Sequence, residues 1–90
     1  MTIAVNLHKT HREFTDGRET VVVSGDTVGA CLENLVTAYP GLRPRLFDKK
    51  GKLRNFIEIY LNQTSAYPDE LRKPTHDGDQ IHIVILLAGG

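Results

Sequence analysis

The sequence predicts an α+β fold, a mixed sheet of four to five strands with one main helix packed on one face. Three observations carry this. Strand-like runs sit at both ends of the chain, at Ile3–Leu7, Glu19–Val23, Phe56–Leu61 and Gln80–Leu87. Between the second and third lies one long stretch with helical apolar spacing. One helix cannot cover both faces of a sheet, so the other face is expected to be open to water.

Taken in order, Ile3-Ala4-Val5-Asn6-Leu7 alternates large apolar with smaller or polar residues, as a half-buried strand does. Glu19-Thr20-Val21-Val22-Val23 is β-branched and reads as its hairpin partner. The loop between them carries His8, His11, Arg12 and the Asp16-Gly17 turn signal, and reads as polar and solvated. Ser24-Gly25-Asp26-Thr27 breaks the second strand, and Asp26 or Thr27 can cap a helix. Val28, Cys31, Leu32, Leu35, Val36 and Tyr39 then form one apolar stripe, opposite Glu33, Asn34 and Thr37. Pro40-Gly41 ends the helix.

Leu42, Leu46 and Phe47 suit a short helical turn, and Asp48 to Lys52 a charged one. In the third strand Ile57, Ile59 and Leu61 share a face. The loop from Asn62 to Pro74 has room for a short strand near Ser65–Tyr67, and Asp77-Gly78-Asp79 is a turn. In the last strand Ile81, Ile83, Ile85 and Leu87 share one face, and His82, Val84 and Leu86 the other. Val84 and Leu86 are therefore expected on the open face, together with Phe56, Glu58 and Tyr60 if the third strand lies beside the last. A small apolar patch there is a partner-binding signal, unless the Asn62–Pro74 loop covers it.

Ninety residues make a single domain, 1–90, with a tail at 88–90. Apolar residues are 40% and charged residues 24%, an ordinary globular balance. Eleven basic residues meet eleven acidic ones, so no net basic footprint points to nucleic acid. No run approaches the roughly 20 apolar residues that span a membrane, and no signal peptide starts the chain. A cytoplasmic protein is expected, in which the Asn62-Gln63-Thr64 sequon carries no meaning. The single cysteine, Cys31, forbids an internal disulfide and reads as a buried structural thiol rather than a reactive one. His8 and His11 lack a supporting Cys or Asp cluster, so no metal site is expected, and no catalytic residue emerges. The basic group Arg43, Arg45, Lys49, Lys50, Lys52 and Arg54, diluted by Asp48, reads as a solvated rim able to steer an acidic partner.

The element order, the Gly25-Asp26-Thr27 helix start, the Asp77-Gly78-Asp79 turn and the closing "QIHIVILLAGG" together resemble the β-grasp sulfur carriers of the MoaD, ThiS and CysO group, which share the ubiquitin fold. The likeness spans nearly the whole chain, with two departures. The group often has Asn-Gly after the third strand, where Asn62-Gln63 stands here; it commonly has proline before the tail, where Val84-Ile85-Leu86-Leu87 stands here. Without that proline, strand pairing is expected to run closer to the end.

The resemblance implies a co-substrate, not an enzyme, with no bound cofactor. Gly90 would be the reacting residue, and Ala88 and Gly89 a flexible tail threading a partner's active site. A ubiquitin-activating-enzyme-like adenylyltransferase would use ATP to make a glycyl-adenylate. A sulfur donor enzyme would convert that to a thiocarboxylate (C-terminal 1-thioglycine), and an accepting synthase would take the sulfur. Phe56, Glu58, Tyr60, Val84 and Leu86 would form the docking face. The chemistry suits the residues. A C-terminal carboxylate, with a pKa of about 3.3–3.7, is ionised and inert until activated. Glycine lets a backbone enter a narrow channel, and Leu87 to Gly90 can reach about 13 Å at ~3.3 Å per residue. The molybdopterin, thiamine and cysteine or homocysteine pathways stay open as destinations. So do two other readings: a ubiquitin-like modifier joined through Gly90 to target lysines, and an interaction module with an idle tail.

Overall fold

A computed structural model describes residues 2–86; the expected tail, residues 88–90, lies outside them, as do Met1 and Leu87. Five strands form one mixed sheet: β1 (Ile3–Asn6), β2 (Thr20–Val23), β3 (Ile57–Leu61), β4 (Thr64–Ser65) and β5 (Gln80–Ile85). Their spatial order is β2-β1-β5-β3-β4. β1 runs parallel to β5 in the centre, and every other pairing is antiparallel. The main helix, α1 (Val28–Ala38), packs on one face, and a short helix, α2 (Arg43–Leu46), follows it.

Alternation along each strand puts Ile3, Val5, Val21, Ile57, Ile59, Ile81 and Ile83 against α1, which contributes Val28, Cys31, Leu32, Leu35 and Val36. Leu42, Leu46 and Phe47 close the core from below α1, as their spacing predicts. Thr27 is the helix cap: its Oγ1 accepts from the Ala30 N–H at 3.0 Å. Within the charged turn, Asp48 Oδ1 accepts from the backbone N–H groups of Lys50 and Lys52.

The Asn62–Pro74 loop does not cover the open face. It runs along α1 instead. Lys73 accepts from the Val28 N–H at 2.9 Å, and Thr75 donates its backbone N–H to Asp26 and its hydroxyl to Gly25. Leu71 packs so close to Gly29 that a Cβ there would stand 2.8 Å from the Leu71 carbonyl oxygen.

Three expectations are corrected. The first hairpin loop is not simply polar: Lys9–Phe14 forms a 3-10 helix that buries His11 to 3% exposure. Amphipathic spacing was not visible there because six residues of 3-10 helix, about two turns, turn only His11 and the partly buried Phe14 inward, too few to stand out as a stripe. The short strand lies at Thr64–Ser65, and Ala66 turns inward to the core. Phe56 stands one residue before β3. The Asn62-Gln63 turn works without glycine because only its first residue is left-handed, Asn62 at φ 59°.

His11 supplies a test of pH dependence. Its pKa is lowered from 6.5, first by burial and then by repulsion from His8 and Arg45. A lowered native pKa means that below 6.5 the unfolded chain takes up a proton that the native state resists. Stability then falls as pH drops through that value. Melting curves at about pH 7.5 and about pH 5.5 bracket the ordinary imidazole range. Wild type should lose more stability between them than His11→Gln does. Equal losses would show that His11 is protonated in the fold.

Candidate functional site

On the face away from α1, side chains grade from polar to apolar toward the chain's end. At the polar end, the Thr20 hydroxyl donates to Asn6 Oδ1 at 2.8 Å, and Asn6 Nδ2 donates to Gln80 Oε1 at 3.1 Å. Satisfied polar groups at a sheet surface are content in water and call for no partner. At the other end β3 and β5 lie side by side in the register Tyr60↔His82 and Glu58↔Val84. Glu58, Tyr60 and Val84 are each half-buried. Glu58 Oε1 accepts from the Ser65 hydroxyl at 3.2 Å, so its carboxylate is held toward β4. Val84 is left as the apolar member of the pair.

Leu86 follows Val84 and is 46% exposed. Its N–H donates to the Phe56 carbonyl at 2.7 Å. The ladder therefore continues to the last described residue, as the missing proline leads one to expect. Phe56, 44% exposed, is joined to the site through this backbone bond. Its side chain lines a hollow with Phe14 and Ile85, whereas Leu86 lines a different cleft. The five expected face residues thus divide: Glu58, Tyr60 and Val84 on the strands, Leu86 and Phe56 flanking the strand ends.

Leu86 borders a cleft of about 770 Å³ with Leu53, Ile57, Glu58, Leu71 and Tyr67 among its walls. Tyr67, 73% exposed, was not foreseen as a site residue. Sequence placed it in the β4 region, where alternation carries no information about a loop aromatic. Exposed aromatic and aliphatic side chains beside a strand end are the anchors that protein interfaces favour.

The remaining candidates fall away from this site. Cys31 is fully buried, its Sγ is 3.9 Å from Thr75 Oγ1, and burial pushes its thiol pKa up, which opposes thiolate chemistry. Among the described residues no group of three His, Cys, Asp or Glu side chains is placed to hold a metal ion. Nor is any helix among them long and apolar enough to cross a membrane. His76 is exposed, and Asp79 accepts its backbone N–H at 2.8 Å and a bond from Asn62 Nδ2 at 3.2 Å. These bonds hold the Asp79 carboxyl below its ordinary range and fix the turn that launches β5.

A mixed five-stranded sheet with one main helix across one face and its last strand, β5, in the centre defines the ubiquitin-like β-grasp class. Within that class the chain belongs to the ThiS family, whose model matches residues 5–90. It is 36% identical to the sulfur carrier protein CysO of Mycobacterium tuberculosis over 93 aligned positions, covering 100% of both chains. It is 37% identical to small archaeal modifier protein 1 of Haloferax volcanii, covering 78% of each. Among solved structures, the Amycolatopsis orientalis BexX/CysO complex contains a chain that superposes with a TM-score of 0.87 at 28% identity, covering 98% of this chain and 99% of that one.

Proposed function

We infer that this chain is a sulfur carrier protein. The observation that carries this is the joining of an apolar strand end, half-buried Val84 and exposed Leu86, to a segment that closes in Ala88-Gly89-Gly90, within a family match that runs through Gly90. Activation consumes ATP on a partner adenylyltransferase: the Gly90 carboxylate attacks the α-phosphate, and pyrophosphate leaves. A sulfur donor's sulfide equivalent then attacks the acyl carbon and displaces AMP, giving a C-terminal thiocarboxylate. The carrier contributes positioning. Docked through its apolar end, it delivers the terminal carboxyl to a closed site where reacting atoms approach within about 3–3.5 Å. An accepting synthase takes the sulfur in a biosynthetic step. The full-length likeness to the sulfur carrier protein CysO supports the carrier role, and the molybdopterin, thiamine and cysteine or homocysteine destinations stay open.

The likeness to small archaeal modifier protein 1 favours a second reading, conjugation of Gly90 to target lysines. Both readings use the same adenylate and differ in the nucleophile. Intact-mass measurement of the protein isolated from its own cells separates them. The carrier reading expects a free protein heavier by one sulfur-for-oxygen exchange. Isopeptide-linked Gly-Gly on lysines without that species would replace it with the modifier.

Leu86→Asp tests the docking face. A charge at an interface core removes apolar burial and adds a desolvation cost, so binding to the activating enzyme should weaken at least tenfold, about 1.4 kcal/mol. The melting temperature should barely change, because Leu86 is 46% exposed in the free protein. Retained affinity with lost stability would place Leu86 in the core instead.

A further inference from the structure

The basic stretch Arg43 to Arg54 does not act as one rim. Arg43 is committed to Glu33, with Nη2–Oε1 at 2.8 Å and Nη1–Oε2 at 3.3 Å. Arg45 and Arg54 are not: neither forms a salt bridge among the described residues. Both line a hollow of about 430 Å³ together with His11, Phe14, Phe56 and Ile85. Arg45 is held there by stacking, its guanidinium carbon 4.9 Å from the Phe14 ring centroid. Arg54 is held by its Nε–H, which donates to the Pro44 carbonyl at 2.6 Å. Each guanidinium keeps further N–H groups for a ligand. His11 is 97% buried by its 3% exposure, and its Nδ1 has no hydrogen-bond partner. Glu13 is the one carboxylate on the rim.

We propose that this hollow is a second docking point, which receives an acidic side chain of the adenylating partner while that partner holds the tail. The proposal rests on the sulfur-carrier reading. Two features select the occupant. Two preoriented guanidinium groups, set between aromatic and aliphatic walls, match a carboxylate carried on a protein side chain. The hollow also includes Ile85 and Phe56, the residues beside Leu86. A partner seated on Leu86 is therefore within reach of it. Two contacts flanking the strand end fix the direction in which the tail leaves, which a single apolar contact cannot do.

The test is ATP–pyrophosphate exchange by the adenylating enzyme of the same organism, with the carrier as variable substrate, at rising sodium chloride. Arg45→Glu/Arg54→Glu is expected to raise the carrier KM at least tenfold with kcat unchanged, and to flatten the dependence of KM on salt. Arg45→Lys/Arg54→Lys should recover part of the loss, because it restores charge without the planar fork. A melting curve checks folding, and the Gln/Gln double variant replaces the Glu/Glu one if the latter is unstable. Exchange with wild type, together with an unchanged KM in the folded double variant, overturns the second docking point alone. Absence of exchange with wild type overturns the carrier reading beneath it.

Discussion

Deleting Gly90, or adding one residue after it, should abolish ATP-dependent activation and leave the melting curve unchanged. The reacting group is one carboxyl at one distance from the docked domain. A residue is worth roughly 3.3 Å of extended chain, and a misplacement of about 1 Å can cost 10²-fold in rate. An added or missing residue therefore moves the carboxyl well outside the adenylating geometry. The fold should be indifferent, since the buried side of β5 is Ile81 and Ile83, at 0% and 3% exposure, and both precede the tail. Pyrophosphate exchange and the mass of the thiocarboxylate product report the chemistry, and calorimetry reports the fold. Normal thiocarboxylate yield from the truncated protein would sink the carrier reading.

Most of the sheet was legible because alternation is a local signal. Ile57 and Ile59, or Ile81 and Ile83, announce an inward face regardless of what covers it. The reading left open whether the third strand lies beside the last; the structure pairs β3 with β5 and sets Glu58 opposite Val84. What was not legible depends on contacts between segments distant in sequence. Nothing local singles out Gly29, yet its missing side chain is where Leu71 lands. Gly25 reads as a strand breaker, yet a Cβ there would stand 2.8 Å from both the Cys31 nitrogen and its Sγ. His11 looked like any loop histidine, because two turns of 3-10 helix are too short to show a period. The basic stretch looked like a single patch, because the Arg43–Glu33 pair joins residues ten apart on different elements.

Leu32→Ala should be the most damaging single truncation in the core among those foreseen from sequence, at about 2–5 kcal/mol. Leu32 is fully buried in the middle of α1, flanked on the same stripe by Val28, Leu35 and Val36. Leu42, Leu46 and Phe47 complete the core beside that stripe, and in a close-packed interior few neighbours can slide in to fill the space. Cost rises with the cavity that remains, by roughly 24 cal/mol per Å³. Small domains hold about 5–15 kcal/mol in total, so this one change removes a large share. At about 4–8 °C per kcal/mol for a domain of this size, the melting temperature should fall by at least about 8 °C. Val22→Ala is the matched control: it also shortens an aliphatic side chain, but Val22 is 63% exposed on the open face and should cost within about 0.5 kcal/mol. Equal melts for the two variants would mean that α1 does not bury Leu32. Below its melting temperature Leu32→Ala should still be adenylated at the wild-type rate, because no step of activation touches the helix. The Gly90 deletion has the opposite profile, intact fold and no chemistry, so together the two variants separate the residues that hold the carrier from the one that reacts.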